Sequence, residues 1–181
     1  CLLTLSVPED ERIFGTGTQF SHVNMKGKRV PVLSQEPGIG RGVQPLSWLL
    51  NASYGAAGTD VNSNAPSAHF LSSKNVAWMS ENTEPCFLDF SRGDRTDIET
   101  ESGASEGILF CGESPKVLTE RFTAHCGRMR PLPSWVHDGA IIGVQGGSPA
   151  LNRVAERLQS AGAAVSAYWL QDWVGQRTTA V

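Results

Sequence analysis

Charge is sparse in this sequence, and cysteine sparser. Charged residues make up 18% of the 181 positions and the net charge is −3. No basic stripe and no interleaving of aromatic with basic residues is present, which excludes a general nucleic-acid binder. Cysteine occurs only as Cys1, Cys86, Cys111 and Cys126, never as C-x-x-C. That density is too low for a disulfide framework, and each thiol is expected to be a small buried hydrophobe. The histidines His22, His69, His125 and His137 lack metal-ligand spacing. Each is expected at the surface or hydrogen-bonded in a core. No apolar run approaches the roughly 18 residues of a membrane helix. Asn51-Ala52-Ser53 matches the glycosylation triplet, a frequent chance match. The chain opens at Cys1 within the alternating "CLLTLSV", without a charged leader or a cleavage site, and stops soon after "AYWLQDW". These ends are expected of a piece of a longer protein. The cellular compartment is then not written in this stretch.

What is present is ordinary globular composition. Hydrophobic residues make up 40% of the chain, enough for one core or somewhat more. Residues 1–112 read as short strands cut by turn residues. "KRVPVL" alternates, with Pro31 suited to a sheet edge. "SWLLNASYG", "AHFLSSKNVAWMS", "PCFLDFS" and "EGILFCG" are further candidate strands, and "YGAAGTDVNSNAPSA" is a small-residue loop. The spacing predicts an antiparallel β-sandwich over 1–112.

The pattern changes at Ser114. "ESPKVLTERFTAHCG" predicts a helix with Ser114 as N-cap, Pro115 at its first position and Gly127 past its end. Leu118, Phe122 and His125 share one face. "RPLPSW" is a stiff connector, so 113–134 is expected to be a helical linker. A third style occupies 135–181. "DGAIIGVQGG" is a short apolar strand. "SPALNRVAERLQSAG" is a helix with Ser148 as cap and Gly162 as stop. "AAVSAYWLQDW" is a second strand. Strand, helix, strand implies a parallel sheet, with ligands expected at the C-terminal strand ends. A complete (β/α)8 barrel needs about 250 residues, several times the length remaining after Trp135, so the expectation is the truncated beginning of one. Alone, the chain is expected to expose apolar surface.

Three well-separated stretches carry a resemblance. "IFGTGTQFSHVNMKGKRVPVLSQEPGIGRG" (13–42), "PLPSWVHDGAIIGVQGG" (131–147) and "YWLQDWVGQR" (168–177) resemble glycoside hydrolase family 31, and within it the sulfoquinovosidase branch. The resemblance implies a galactose mutarotase-like sandwich followed by a catalytic barrel. It also implies a retaining α-glycosidase acting on a small-molecule glycoside, without metal, organic cofactor, nucleic acid or membrane. It leaves the oligomeric state open. The family uses two aspartates, a nucleophile and an acid/base, about 5–5.5 Å apart in a retaining enzyme. Neither is expected among these 181 residues.

What the resemblance assigns here is part of the substrate pocket: Gln145 at the end of the first barrel strand, Gln171 at the end of the second, then Asp172 and Trp173. Where many family members hold an aspartate, Gln171 is an amide. Beside a sulfonate, a carboxylate would add like-charge repulsion, whereas an amide offers N–H donors without charge. Each residue has another reading. Gln145 and Gln171 could bond backbone at a strand end, Asp172 could pair with Arg177, and Trp173 could pack under a loop. Glu36 and Arg41 lie on a loop that either leans over the barrel mouth or carries a surface ion pair. One departure stands out: the branch has glutamate where this chain has Thr18. A neutral-sugar α-glucosidase and a non-catalytic carbohydrate-binding homologue are the alternatives.

Overall fold

The computed structural model describes residues 1–36, 45–54 and 58–170, without the side chains of Asn51 and Tyr54. Its elements in chain order are β1 (Leu2–Ser6), β2 (Ile13–Gly17), β3 (Arg29–Val32), α1 (Pro45–Tyr54), β4 (Pro66–Ser72), β5 (Val76–Ser80), β6 (Cys86–Asp89), β7 (Arg95–Thr100), β8 (Gly107–Cys111), α2 (Pro115–Cys126), a 3-10 turn (Ser134–His137), β9 (Ala140–Val144), α3 (Gly147–Ser160) and β10 (Val165–Leu170). The chain divides into two compact units, Cys1–Gly127 and Arg128–Val181. It is sheet-rich with few helices.

The first unit holds two four-stranded antiparallel sheets, ordered β1-β7-β6-β3 and β2-β4-β5-β8. Alternation along each strand decides which side chains turn inward. Val30, Leu88 and Ile98 of one sheet meet Ile13, Phe70 and Trp78 of the other in a shared core, with Met25, Val61 and Phe90. Phe70 and Phe90 meet edge to face, centroids 5.2 Å apart. The strand carrying Pro31 lies at a sheet edge, where a missing N–H costs least.

Helix α2 covers the outer face of the second sheet. Ser114 caps it, its hydroxyl accepting from the Val117 amide, with Pro115 in the first turn and Gly127 past the end. Leu118 is fully buried against Ala77 and Phe110, and Phe122 packs alongside.

Three expectations change. "SWLLNASYG" is not a strand but most of α1. Its branched and aromatic content suggested β structure, yet Pro45 stands at the first helical position and α1 contains three leucines, good helix formers. Ser148 does not cap α3. The helix starts at Gly147 after Gly146 turns the backbone at φ 101°, and no side chain caps it. Of the cysteines only Cys86 is buried; Cys1, Cys111 and Cys126 are exposed, and all four are free thiols.

In the second unit β9 and β10 pair in parallel, from Val165 opposite Ala140 to Leu170 opposite Val144. Helix α3 connects them. Its Ala150, Leu151, Val154, Ala155 and Leu158 turn inward at the expected helical period.

Candidate functional site

The parallel register of β9 and β10 makes a common C-terminal edge. Val144 and Leu170 are the last paired residues. Gln145 comes directly after Val144 and lies exposed at that edge. The chain then turns within two residues. Gly146 takes φ 101° and Gly147 φ 68°, and a Cβ at Gly146 would approach Ala150 Cβ to 3.0 Å. Helix α3 therefore begins immediately beside Gln145, and the partial positive charge of its first turn lies at the same edge. The edge thus carries an uncharged amide beside the start of a helix, with no acidic side chain from Gln145 to Ala150. Of the pocket residues expected from the sequence, Gln145 is the one the structure describes. Gln171, Asp172 and Trp173 lie outside the described residues, as does Arg41.

A second polar assembly sits in the first unit, where three connections meet: residues 18–25 after β2, 34–36 after β3, and 58–65 before β4. Its centre is a strained turn. Gly15, Thr16 and Gly17 all have positive φ (108°, 68° and 104°), and the β2–β4 register slips between Gly15 and Gly17. Thr16 is a β-branched residue in the left-handed region, 1% exposed, with its hydroxyl unpartnered among the described residues. The turn brings Thr18 to Ser63, hydroxyl oxygens 3.2 Å apart, and the Thr18 amide donates to the Ala65 carbonyl at 3.0 Å. Thr18 therefore stitches two connections together and adds no acidic group.

Next to it Gln19 organises a tight turn. Its Oε1 accepts from the Ser21 and His22 amides, both at 3.0 Å, and its Nε2 donates to the His22 carbonyl at 2.5 Å. His22 Nε2 reaches Asp60 Oδ2 at 2.5 Å, and Lys28 Nζ meets the same oxygen at 3.3 Å. The His22 hydrogen bond holds the Asp60 carboxyl below the usual carboxylate range, helped by Lys28 and against the cost of burial. Asn62 donates to Gln35 Oε1 at 2.9 Å, and its own Oδ1 accepts from the Thr59 amide at 2.6 Å. Gln35 and Asn62 thereby bring together the feet of the long connection between β3 and β4. Glu36, at the first foot, is exposed. Sequence reasoning missed the His22–Asp60 pair, and no signal could have found it: the partners are 38 positions apart on unrelated turns.

A cavity of about 370 Å³ opens in the first unit between β1, β4 and β8, its walls mostly apolar. Ser72 donates to Glu11 at its wall. Among the described residues no group of three or more His, Cys, Asp or Glu is arranged to hold a metal. Nor is any described helix long and apolar enough to cross a membrane.

Comparison with known proteins decides the family. No family model matches the chain. A sulfoquinovosidase of Agrobacterium fabrum is 36% identical over 171 residues, covering 94% of this chain and 26% of that protein. A second, from Escherichia coli, is 29% identical and covers 98% of this chain and 26% of its own length. A solved family 31 sulfoquinovosidase from E. rectale superposes with a TM-score of 0.88 at 29% identity over 99% of this chain. This chain belongs to glycoside hydrolase family 31.

The chain spans about a quarter of the length of the family 31 relatives it matches. A cycloalternan-degrading enzyme from Trueperella pyogenes shares the fold alone, at a TM-score of 0.71 and 17% identity. The sheet-rich fold of this chain therefore matches the N-terminal part of family 31 enzymes.

Proposed function

We propose that the full-length protein is a retaining α-glycosidase that hydrolyses α-sulfoquinovosides. One observation carries the reading. Two curated relatives and one solved structure bear the same activity in their names, and each matches nearly the whole chain. In this reading residues 1–112 are a mutarotase-like antiparallel β-sandwich, 113–134 a helical linker, and 135–181 the beginning of a (β/α)8 catalytic barrel. Gln145, Gln171, Asp172 and Trp173 contact the sugar. The nucleophile and acid/base carboxylates belong to the part of the enzyme outside these 181 residues, and no metal or organic cofactor takes part.

The chemistry supports an anionic substrate. At the end of β9 the chain offers an amide, and nothing acidic intervenes before α3. An acid there would repel a sulfonate in a poorly screened pocket. Glutamine satisfies the same oxygens through N–H donors. Such groups position the sugar for attack, and the covalent glycosyl-enzyme forms at the family's carboxylate pair.

A test is to assay the full-length protein on a chromogenic α-sulfoquinovoside and the matching α-glucoside. The expected outcome is preferential cleavage of the sulfonated substrate. Equal or faster cleavage of the glucoside favours the second reading, a neutral-sugar α-glucosidase, for which the threonine at position 18 is the motivating observation.

A further inference from the structure

Helix α2 rests on an imidazole that has no place for a second proton. His69 lies on β4, on the face of the sheet opposite the shared core, across from Met79 of β5. The Phe122 ring of α2 stacks on it, with centroids 4.0 Å apart and planes 23° from parallel. His69 Nε2 is buried and has no hydrogen-bond partner among the described residues. A neutral imidazole tolerates this, because with the proton on Nδ1 the other nitrogen is only an unused acceptor. An imidazolium does not. It must place an N–H at Nε2, where no acceptor waits, and must hold a charge in a largely apolar cluster.

We propose that protonation of His69 releases α2 from the sheet, making the docking of this helix within the first unit acid-sensitive. Helix α2 is the last element of the first unit, and the chain passes from its end at Gly127 into the second. Its apolar contact with the sheet is small: Leu118 and Phe122 pack with Ala77, Phe110, Leu71, Met79 and Ile108. Burial lowers the His69 pKa, which agrees with the geometry. This fixes the sign. Below the ordinary histidine value of about 6.5, the undocked helix leaves His69 free to bind a proton that the docked state refuses, so docking weakens as pH falls.

Other charged groups on these elements do not supply the missing partner. His125 Nε2 pairs with Glu81 Oε1 at 3.1 Å, at an exposed position beyond β5. Arg121 donates to the Cys111 carbonyl at the end of β8. Lys116 and Glu120 are exposed on α2.

The test is hydrogen exchange on the full-length protein, read by mass spectrometry and corrected for the intrinsic pH dependence of exchange. Between about pH 7.5 and about pH 5.5, where histidines titrate, exchange of the α2 amides is expected to rise. The rise is expected to be several-fold and at most about tenfold, because pH 5.5 lies only about one unit below the undocked value of about 6.5. His69→Phe keeps the stack and removes the titrating group, so it should abolish the rise; His125→Asn should retain it. An unchanged α2 at the lower pH overturns the proposal. So does an equal rise in His69→Phe, or loss of the rise in His125→Asn. Should His69→Phe fail to fold, imidazole NMR on the native protein decides. A His69 that titrates at or above the ordinary value overturns the proposal, and one below it supports the proposal.

Discussion

A methyl group added at Gly17 would lie 2.3 Å from the Ala65 carbonyl oxygen, on a backbone already at φ 104°. Both partners are backbone, so neither can step aside cheaply. Gly17→Ala is expected to cost at least about 2 kcal/mol, by strain plus overpacking. Gly103→Ala, where the added carbon meets nothing within 4 Å, should change little. Urea midpoints of the two variants check the contrast, and similar midpoints would show that the 15–18 turn is soft. A similarly small change tests the pocket role proposed for Gln145. Gln145→Glu changes one amide nitrogen to oxygen and adds a charge at the β9 edge. Acting through like-charge repulsion, it is expected to lower kcat/KM on an α-sulfoquinovoside by about tenfold or more. On the α-glucoside the loss should be smaller. Kinetics on both substrates read the difference, and equal losses would detach Gln145 from the sulfonate.

Among the elements, α2 shows what local signals can carry. Its cap, first-turn proline and terminal glycine stand in the order that helix ends require, and each sits where expected. Leu118 falls on the apolar face and is completely buried. Leu118→Ala is expected to destabilise the first unit by about 3 kcal/mol, the usual cost of a cavity in a tight core. Circular dichroism through a urea titration measures it, and a loss below about 1 kcal/mol would mean that α2 is hardly docked. The strand pairs β9 and β10 were likewise legible, because a short apolar run leading into an amphipathic helix has few other readings. In α1, composition misled: aromatic and apolar density suggested a strand, while the proline at its start decided for a helix. The polar assembly about Thr18, Gln19, His22 and Asp60 was not legible at all. Its contacts join turns dozens of residues apart, and no local propensity encodes such a meeting. Gln145 was legible as a strand-end amide by position; its place in a sugar pocket is a proposal that rests on the family resemblance.

For the molecule as a whole, charge is sparse enough that a few groups shape its response to acid. Going down from neutral pH, His69 acts first. Its pKa is lowered in the fold, so the unfolded chain takes up the extra proton and stability declines from about pH 6.5 until the folded-state value is reached. The carboxylates act later, at lower pH. Asp97 accepts from the Thr4 hydroxyl at 2.7 Å across the β1–β7 pair and from Arg95 at 3.1 Å. The Thr4 bond first, and Arg95 with it, hold its carboxyl below the usual range. Asp60 is held low by His22 and Lys28. A lowered carboxyl stabilises the fold above its unfolded value of about 3.9, and that contribution disappears as pH falls through the folded value. The expected profile of urea midpoint against pH therefore has two descending limbs: a shallow one beginning near the histidine range and a steeper one below about pH 4. Asp97→Asn keeps one acceptor for Thr4 but cannot titrate, so it should flatten the lower limb and leave the upper one in place. A variant whose profile matches the parent down to the lowest pH would place the acid sensitivity outside the β1–β7 pair.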